Sequence, residues 1–186
     1  MPRNQTHQLR IIGGEWRSRK IKIPDLAEIR PTPDRVRETL FNWLSPVISG
    51  AYCLDLFAGS GALSFEALSR GAKHVVMVDK SSTVIESLRT TAHQLGADNI
   101  TLYQGHAPEN IILPKEPFDI IFLDPPFHQN LIKPSCEWLV QQRLVHSKSY
   151  IYIETEGDQE DIIIPKHWRI LKEGKTKQIK YYLIKP

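Results

Sequence analysis

The chain has 186 residues, 41% of them hydrophobic, which suffices for one domain with a core and a small appendage. No apolar run reaches the roughly 20 residues of a membrane span, and the N-terminus lacks a signal peptide's apolar core, so a cytoplasmic location is expected. The net charge of +3 is unevenly spread: residues 1–37 hold nine Lys/Arg and four Asp/Glu, residues 166–186 seven and one, and residues 38–165 eight and sixteen. Basic ends around an acidic middle suggest a polyanion gripped by the termini and a cationic ligand in the body; the plainer alternative is that both ends are solvated. Cys53 and Cys136 are the only cysteines, and Cys53 falls in an apolar strand, so reduced thiols are expected. The seven histidines are scattered without ligand spacing, so no metal site is expected.

In chain order, Leu9–Ile12 and Trp16–Ile23 read as two strands around Gly13-Gly14, a hairpin signal. Trp16 and neighbouring apolar positions interleave with Arg17, Arg19, Lys20 and Lys22, which favours a basic hairpin face over a loose tail. Arg10, Arg17, Arg19 and Lys20 are the candidate phosphate contacts of this face. A linker with three prolines follows over 24–33, so residues 1–33 read as a basic hairpin and linker, and 34–186 as the main domain. Asp34 is expected to cap a helix reaching about Ile48, with Val36, Leu40, Phe41, Leu44, Val47 and Ile48 at helical spacing. Arg35 and Arg37 on this helix either contact the polyanion or the ligand, or pair with Glu38 or Asp34 as ordinary helix charges.

Strand–helix units then alternate: strand 51–57, helix 61–70, strand 73–79, helix 82–96, strand 99–104, a short helix near 108–112, strand 117–124, helix 130–142 and strand 149–155. The end, Trp168–Glu173 and Gln178–Ile184 around Gly174, reads as a second hairpin. Alternation of this kind predicts an α/β, doubly wound, mostly parallel sheet with helices on both faces, carrying a small N-terminal β-hairpin extension.

Chemistry concentrates at two strand ends. The first strand of the alternation runs into Ala58-Gly59-Ser60-Gly61, which opens a helix. Two glycines one residue apart let a ligand approach backbone at a helix N-terminus. The next strand ends on Asp79, 20 positions after Gly59, where a carboxylate can accept two ribose hydroxyls. A dinucleotide would want a third glycine at position 64, where this chain has Ser64, and Asp55 would repel a pyrophosphate. Asp55 instead suits a ligand carrying an ammonium and a sulfonium, and S-adenosylmethionine has both. The second strand end carries Asp124-Pro125-Pro126-Phe127. Two prolines without N–H groups leave the Asp124 carboxylate and the Pro125 carbonyl as acceptors beside an aromatic plate. An exocyclic amine on a planar ring fits: its two N–H bonds meet the two acceptors and its ring stacks on Phe127. The alternative is an ordinary strand-to-turn element.

Asp55-Leu56-Phe57-Ala58-Gly59-Ser60-Gly61 and Asp124-Pro125-Pro126-Phe127 resemble the cofactor and catalytic motifs of amino-group methyltransferases that use S-adenosylmethionine. Arg10-Ile11-Ile12-Gly13-Gly14-Glu15-Trp16-Arg17 and the stretch from Arg30 to Leu44 narrow the resemblance to the bacterial 16S rRNA guanine-N2 methyltransferase family, type D, along nearly the whole chain. The resemblance implies a seven-stranded, Rossmann-like methyltransferase sheet in the order 3-2-1-4-5-7-6. Strands 1 and 4 are then neighbours, so two motifs 69 residues apart converge on one crevice. It implies S-adenosylmethionine as cofactor, its homocysteine counterpart as product, and methyl transfer to the exocyclic N2 amine of one guanine of 16S rRNA. The RNA would be met in an assembling or assembled small ribosomal subunit, by a monomer.

Cofactor contacts are expected from Asp55, Gly59, Gly61, Asp79, Lys80, His106 and Ala107, and catalysis from Asp124, Pro125 and Phe127. Where the family usually has Asp or Asn after the third strand, this chain has Gly105-His106-Ala107; His106 contacts adenine or lies at the surface, with backbone groups of His106 and Ala107 as the other candidates. Lys80 is either a contact or simply exposed, and His128 touches either a phosphate or solvent. Three other readings compete: a DNA adenine-N6 methyltransferase, for which 186 residues leave little room; a protein glutamine methyltransferase, which would favour Asn at position 124; and a non-catalytic RNA-binding module that kept the fold.

Overall fold

The computed structural model describes residues 8–22, 32–158 and 162–186. The linker expected over 24–33 and the end of the strand at Ile23 lie almost wholly outside these residues. Two short strands, β1 (Gln8–Arg10) and β2 (Lys20–Lys22), pair antiparallel, Leu9 opposite Ile21. Helix α1 (Asp34–Leu44) follows. Then come β3 (Tyr52–Asp55), α2 (Ala62–Ser69), β4 (His74–Asp79), α3 (Ser82–Leu95), β5 (Ile100–Gln104), β6 (Ile120–Leu123), α4 (Ile132–Gln141), β7 (Tyr150–Glu156), β8 (Arg169–Lys175) and β9 (Ile179–Lys185). The seven strands from β3 onward form one sheet in the order β5-β4-β3-β6-β7-β9-β8, parallel except for β8 and β9. This is the expected doubly wound order, reversing between β3 and β6.

Side-chain alternation along the strands divides the core in two. Cys53, Val75, Met77, Ile120, Phe122 and Tyr152 face α1, α2, α3 and the N-terminal hairpin. Leu54, Val76, Val78, Ile121 and Ile151 face α4 and the turn before β8. Cys53 and Cys136 belong to opposite faces, both buried and unpaired, and burial pushes the Cys136 thiol up to about 12.

Several local expectations are corrected. Gly13-Gly14 is not the tip of a two-residue hairpin; β1 and β2 are joined by the longer segment Ile11–Arg19. The glycines serve close packing against α2: a Cβ on Gly14 would lie 1.8 Å from the Ser69 carbonyl oxygen, and one on Gly13 would lie 2.5 Å from Arg70 Nη2. Likewise Gly174 lies inside β8, where the Tyr181 ring occupies the space of a side chain; the turn is at 176–178, where Thr176 Oγ1 accepts from Gln178 and Ile179 N–H. Asp34 is the first helical residue rather than a cap, since Pro33 holds the cap position and its carbonyl accepts from Val36 and Arg37. The helix stops at Leu44, not Ile48, because Pro46 lacks the N–H to continue it. No helix forms at 108–112, a stretch too short to offset nucleation; Asn110 N–H turns back to the His106 carbonyl.

Candidate active site

The carboxyl ends of β3, β4, β5, β6 and β7 surround a cavity of about 770 Å³. Asp55, at the end of β3, is 2% exposed. Ser64 Oγ, one turn into α2, donates to its Oδ2 at 2.6 Å. Burial pushes the Asp55 carboxyl up to about 6, against the opposing effect of the Ser64 and Phe57 hydrogen bonds. Ser64 therefore does more than replace a glycine: it orients and partly stabilises a buried acid.

The loop after β3 depends on its two glycines for different reasons. Gly61 caps α2 with φ +75°, and a Cβ there would lie 2.5 Å from the Phe65 ring. Gly59, at φ +49°, has open space where its side chain would be, so the loop's bare backbone lines the cavity. The Gly59 N–H does not point at a ligand. It donates to Asp79 Oδ2 at 3.0 Å, and Ser81 N–H donates to Oδ1 at 2.8 Å. Asp79 thus ties the glycine loop to the start of α3 while lining the cavity. Lys80, exposed His106 and buried Ala107 complete this side.

On the other side β6 ends in the Asp-Pro-Pro-Phe turn. Asp124 is half-buried, Pro125 is buried, and Phe127 is half-buried against the core. Thr32 Oγ1 donates to Asp124 Oδ2 at 3.4 Å. Burial, with Glu154 and Asp55 nearby, holds the Asp124 carboxyl well above the usual range. Beyond the turn, His128 (φ +62°) donates its backbone N–H to Glu156 Oε1 at 2.5 Å, and its Nδ1 is 3.3 Å from Oε2. The end of β7 therefore holds the turn, and the exposed His128 ring belongs to that anchor.

Of the expected catalytic and cofactor residues, Asp55, Gly59, Asp79, Lys80, His106, Ala107, Asp124, Pro125 and Phe127 all line this one cavity. Gly61 acts one residue back, by shaping the loop. Two lining or supporting groups escaped the reading of the sequence. Glu154 is 4% exposed on β7 and accepts from the hydroxyl of buried Tyr152 at 2.8 Å. The available signal was a lone acid inside the apolar strand Ile151-Tyr152-Ile153-Glu154. Glu66, fully buried on α2, accepts from Ile12 N–H at 2.8 Å, Gly13 N–H at 2.9 Å and Arg70 Nε at 2.7 Å.

The basic residues separate. Arg17, Lys20 and Arg35 are exposed, and exposed Arg10 lies 3.9 Å from Asp34. Arg19 donates to the Gln94 and Leu95 carbonyls at the end of α3, which complements that helix terminus. Arg37 corrects the expectation of RNA contact. It is 0% exposed, donates to Asp34 at 2.6 Å and to the Arg10 carbonyl at 2.9 Å, and lies 3.6 Å from Glu66. A guanidinium enclosed by two carboxylates joins α1, α2 and the hairpin, and no RNA phosphate can reach it.

Residues 9–185 match the family described as conserved hypothetical protein 95. The ribosomal RNA small subunit methyltransferase D of Escherichia coli (strain K12) is 40% identical over 176 residues, covering 95% of this chain and 89% of that protein. The protein of the same name from Haemophilus influenzae is 40% identical over 184 residues, covering 97% and 95%. A solved structure of a putative methyltransferase from Escherichia coli superposes with a TM-score of 0.88 at 40% identity, covering 96% of this chain and 98% of that one. With the sheet order that the resemblance implies and both motifs at one crevice, the chain belongs to this family, that of the ribosomal RNA small subunit methyltransferases D.

Proposed function

We propose that this enzyme uses S-adenosylmethionine to methylate the exocyclic N2 amine of one guanine in 16S rRNA, free or within the small ribosomal subunit. The observation that supports it most directly is the convergence of Asp55, Gly59 and Asp79 with Asp124, Pro125 and Phe127 on a single cavity. The residues fit the cofactor: a bare glycine backbone, a ribose-facing carboxylate on Asp79, and the buried acid Asp55 for an ammonium. Bound there, S-adenosylmethionine supplies an electrophilic methyl group.

The chain's own residues must make a poor nucleophile attack. The amine lone pair of guanine is delocalised into the ring, and acceptors at both N–H groups favour its turning out of plane. The Asp124 carboxylate and Pro125 carbonyl supply those acceptors and stabilise the charge that develops on nitrogen. Phe127 offers its face to the base, which must be unpaired or flipped out to reach it. Holding donor and amine together contributes the rest, with effective molarities up to about 10⁵ M or more.

The test is transfer of labelled methyl to 16S rRNA, and to small subunits, from a strain lacking its own enzyme, followed by nucleoside analysis. N2-methylguanine is expected, and Asp124→Ala should lose most turnover while keeping cofactor affinity. Label in N6-methyladenine, or in protein, would overturn the assignment.

A further inference from the structure

Among the described residues, four carboxyls line the cavity: Asp55, Asp79, Asp124 and Glu154. The proposed reaction employs the first three and leaves Glu154 without a part. Its placement is set by the sheet. β6 and β7 run parallel with Leu123 opposite Ile153, so the residues that follow, Asp124 and Glu154, lie side by side at the carboxyl edge. Leu123 and Ile153 face the α4 side, so by alternation Asp124 and Glu154 both face the other way, as Phe122 and Tyr152 do. Thr32 Oγ1 donates to Asp124 Oδ2 at 3.4 Å, and the Tyr152 hydroxyl donates to Glu154 Oε2 at 2.8 Å. Such a buried acid, at the elbow of the transfer motif and held by the Tyr152 hydroxyl, is costly to keep without a use.

We propose that Asp124 and Glu154 form one proton-sharing carboxyl pair, in which Glu154 acts through Asp124 as a positioning residue and makes the pair the acceptor of the amine's proton. The inference rests on the reading that Asp124 faces the target amine. Two neighbouring carboxyls in a buried site do not both ionise at neutral pH, so the pair retains one proton and one negative charge. Burial raises both members, Glu154 to about 7 against the opposing effect of its hydroxyl partners, and repulsion from Glu154 raises Asp124 further. The other groups facing the pair are Asp55 from β3, whose charge adds to the repulsion on Asp124, Tyr152 from β7 itself, and on β9 Tyr181 opposite Glu154; Lys180, opposite Thr155, falls on the other face of the sheet.

The step balances. The amine nitrogen forms a bond to the methyl carbon, and the carbon–sulfur bond breaks with its electron pair left on sulfur. The positive charge passes from sulfur to nitrogen. One N–H proton then moves to Asp124, and the pair goes from one negative charge to none. That proton leaves to water when product departs, which restores the monoanion. A lone Asp with an ordinary pKa would be a much weaker acceptor; Glu154 raises its basicity.

Carbon-13 NMR titration of the side-chain carboxyls in the protein without cofactor tests the pairing directly. Asp124 and Glu154 should each show two coupled steps, one of them above pH 6. In Glu154→Gln, Asp124 should titrate in a single step lower by about one unit or more, as expected when a neighbouring like charge is removed. In Tyr152→Phe, loss of the hydroxyl donor should move the pair's upper step to higher pH. Single-turnover methyl transfer should follow: its acidic limb shifts down in Glu154→Gln with a reduced plateau, and up in Tyr152→Phe. Independent, single-step titration of the two carboxyls in the wild type overturns the proposal. So does an Asp124 titration that stays in place in Glu154→Gln; Tyr152→Phe carries the same test if that variant does not fold. A wild-type protein that shows coupled titration but never methylates guanine would instead sink the function assigned to the cavity.

Discussion

Ser64 Oγ donates to Asp55 Oδ2 at 2.6 Å, and this contact converts a departure from the dinucleotide fingerprint into a device for an acid in the core. A glycine at position 64 would leave that acid with one donor fewer. The folded carboxyl lies near 6 against 3.8 for an unperturbed Asp, so the native state holds its proton more tightly than the unfolded chain does. Stability is therefore expected to fall as pH rises from about 4 to about 6, by on the order of 2–3 kcal/mol from this group. Asp55→Asn should be more stable than wild type at pH 7, with the difference closing below about pH 4, yet should bind S-adenosylmethionine at least tenfold more weakly. Melting curves across pH with calorimetry decide it; a variant that is less stable at every pH would show that Asp55 is chiefly a structural hydrogen-bond acceptor.

Asp79 takes the Gly59 and Ser81 N–H groups, so it supports the loop as well as lining the cavity. Asp79→Ala should weaken S-adenosylmethionine binding by about 1.5–3 kcal/mol, the worth of hydrogen bonds to a charged group. Unchanged affinity by calorimetry would remove the ribose contact, and tight binding of a nicotinamide dinucleotide would overturn the ligand class.

Much of this was legible because the relevant signals are local. Apolar strands ending in Asp55, Asp79 and Asp124, each followed by turn or helix residues, can be read along the chain, and a parallel order brings their ends together. The residues that escaped are those whose meaning lies in partners far along the chain. Arg37 looks like any exposed helix charge until Glu66, 29 positions on, is folded against it. Glu154 looks like a lone acid in an apolar strand until the end of β6 sets Asp124 beside it. Gly13-Gly14 reads as a turn because glycine permits both tight turns and close approach, and only the α2 surface distinguishes them.

Glu66 gathers the hairpin and two helices through Ile12, Gly13, Arg37 and Arg70. Glu66→Gln leaves buried Arg37 with Asp34 alone as counter-charge among the described residues and sets an amide N–H against one of the backbone donors. Breaking a buried charge network of this kind costs about 3 kcal/mol or more. Hydrogen exchange should quicken at the Ile12 and Gly13 amides more than in β5. Unaltered exchange at those two amides, together with wild-type stability, would mean that the apolar contacts of Leu9, Ile11, Trp16 and Ile21 hold the hairpin unaided.

The RNA surface follows from which basic residues the fold leaves outside. Arg37 is enclosed, and Arg19 is engaged at the end of α3. Arg17 and Lys20 on the hairpin and Arg35 on α1 are exposed, and exposed Arg10 lies 3.9 Å from Asp34. Removing one cation from a single-strand phosphate should flatten the slope of log affinity against log salt by about 0.7. Replacing Arg10, Arg17 and Lys20 together should therefore reduce the slope by about 2 and weaken RNA binding, while affinity for S-adenosylmethionine, bound in the acidic body, stays as it was. Arg19→Ala should in addition lower the melting temperature, because the α3 carbonyls lose their donor. Filter binding across a salt series, with thermal melts alongside, separates the two effects. An unaltered slope in the triple variant would mean that the hairpin faces solvent and that the RNA lies against the basic C-terminal strands.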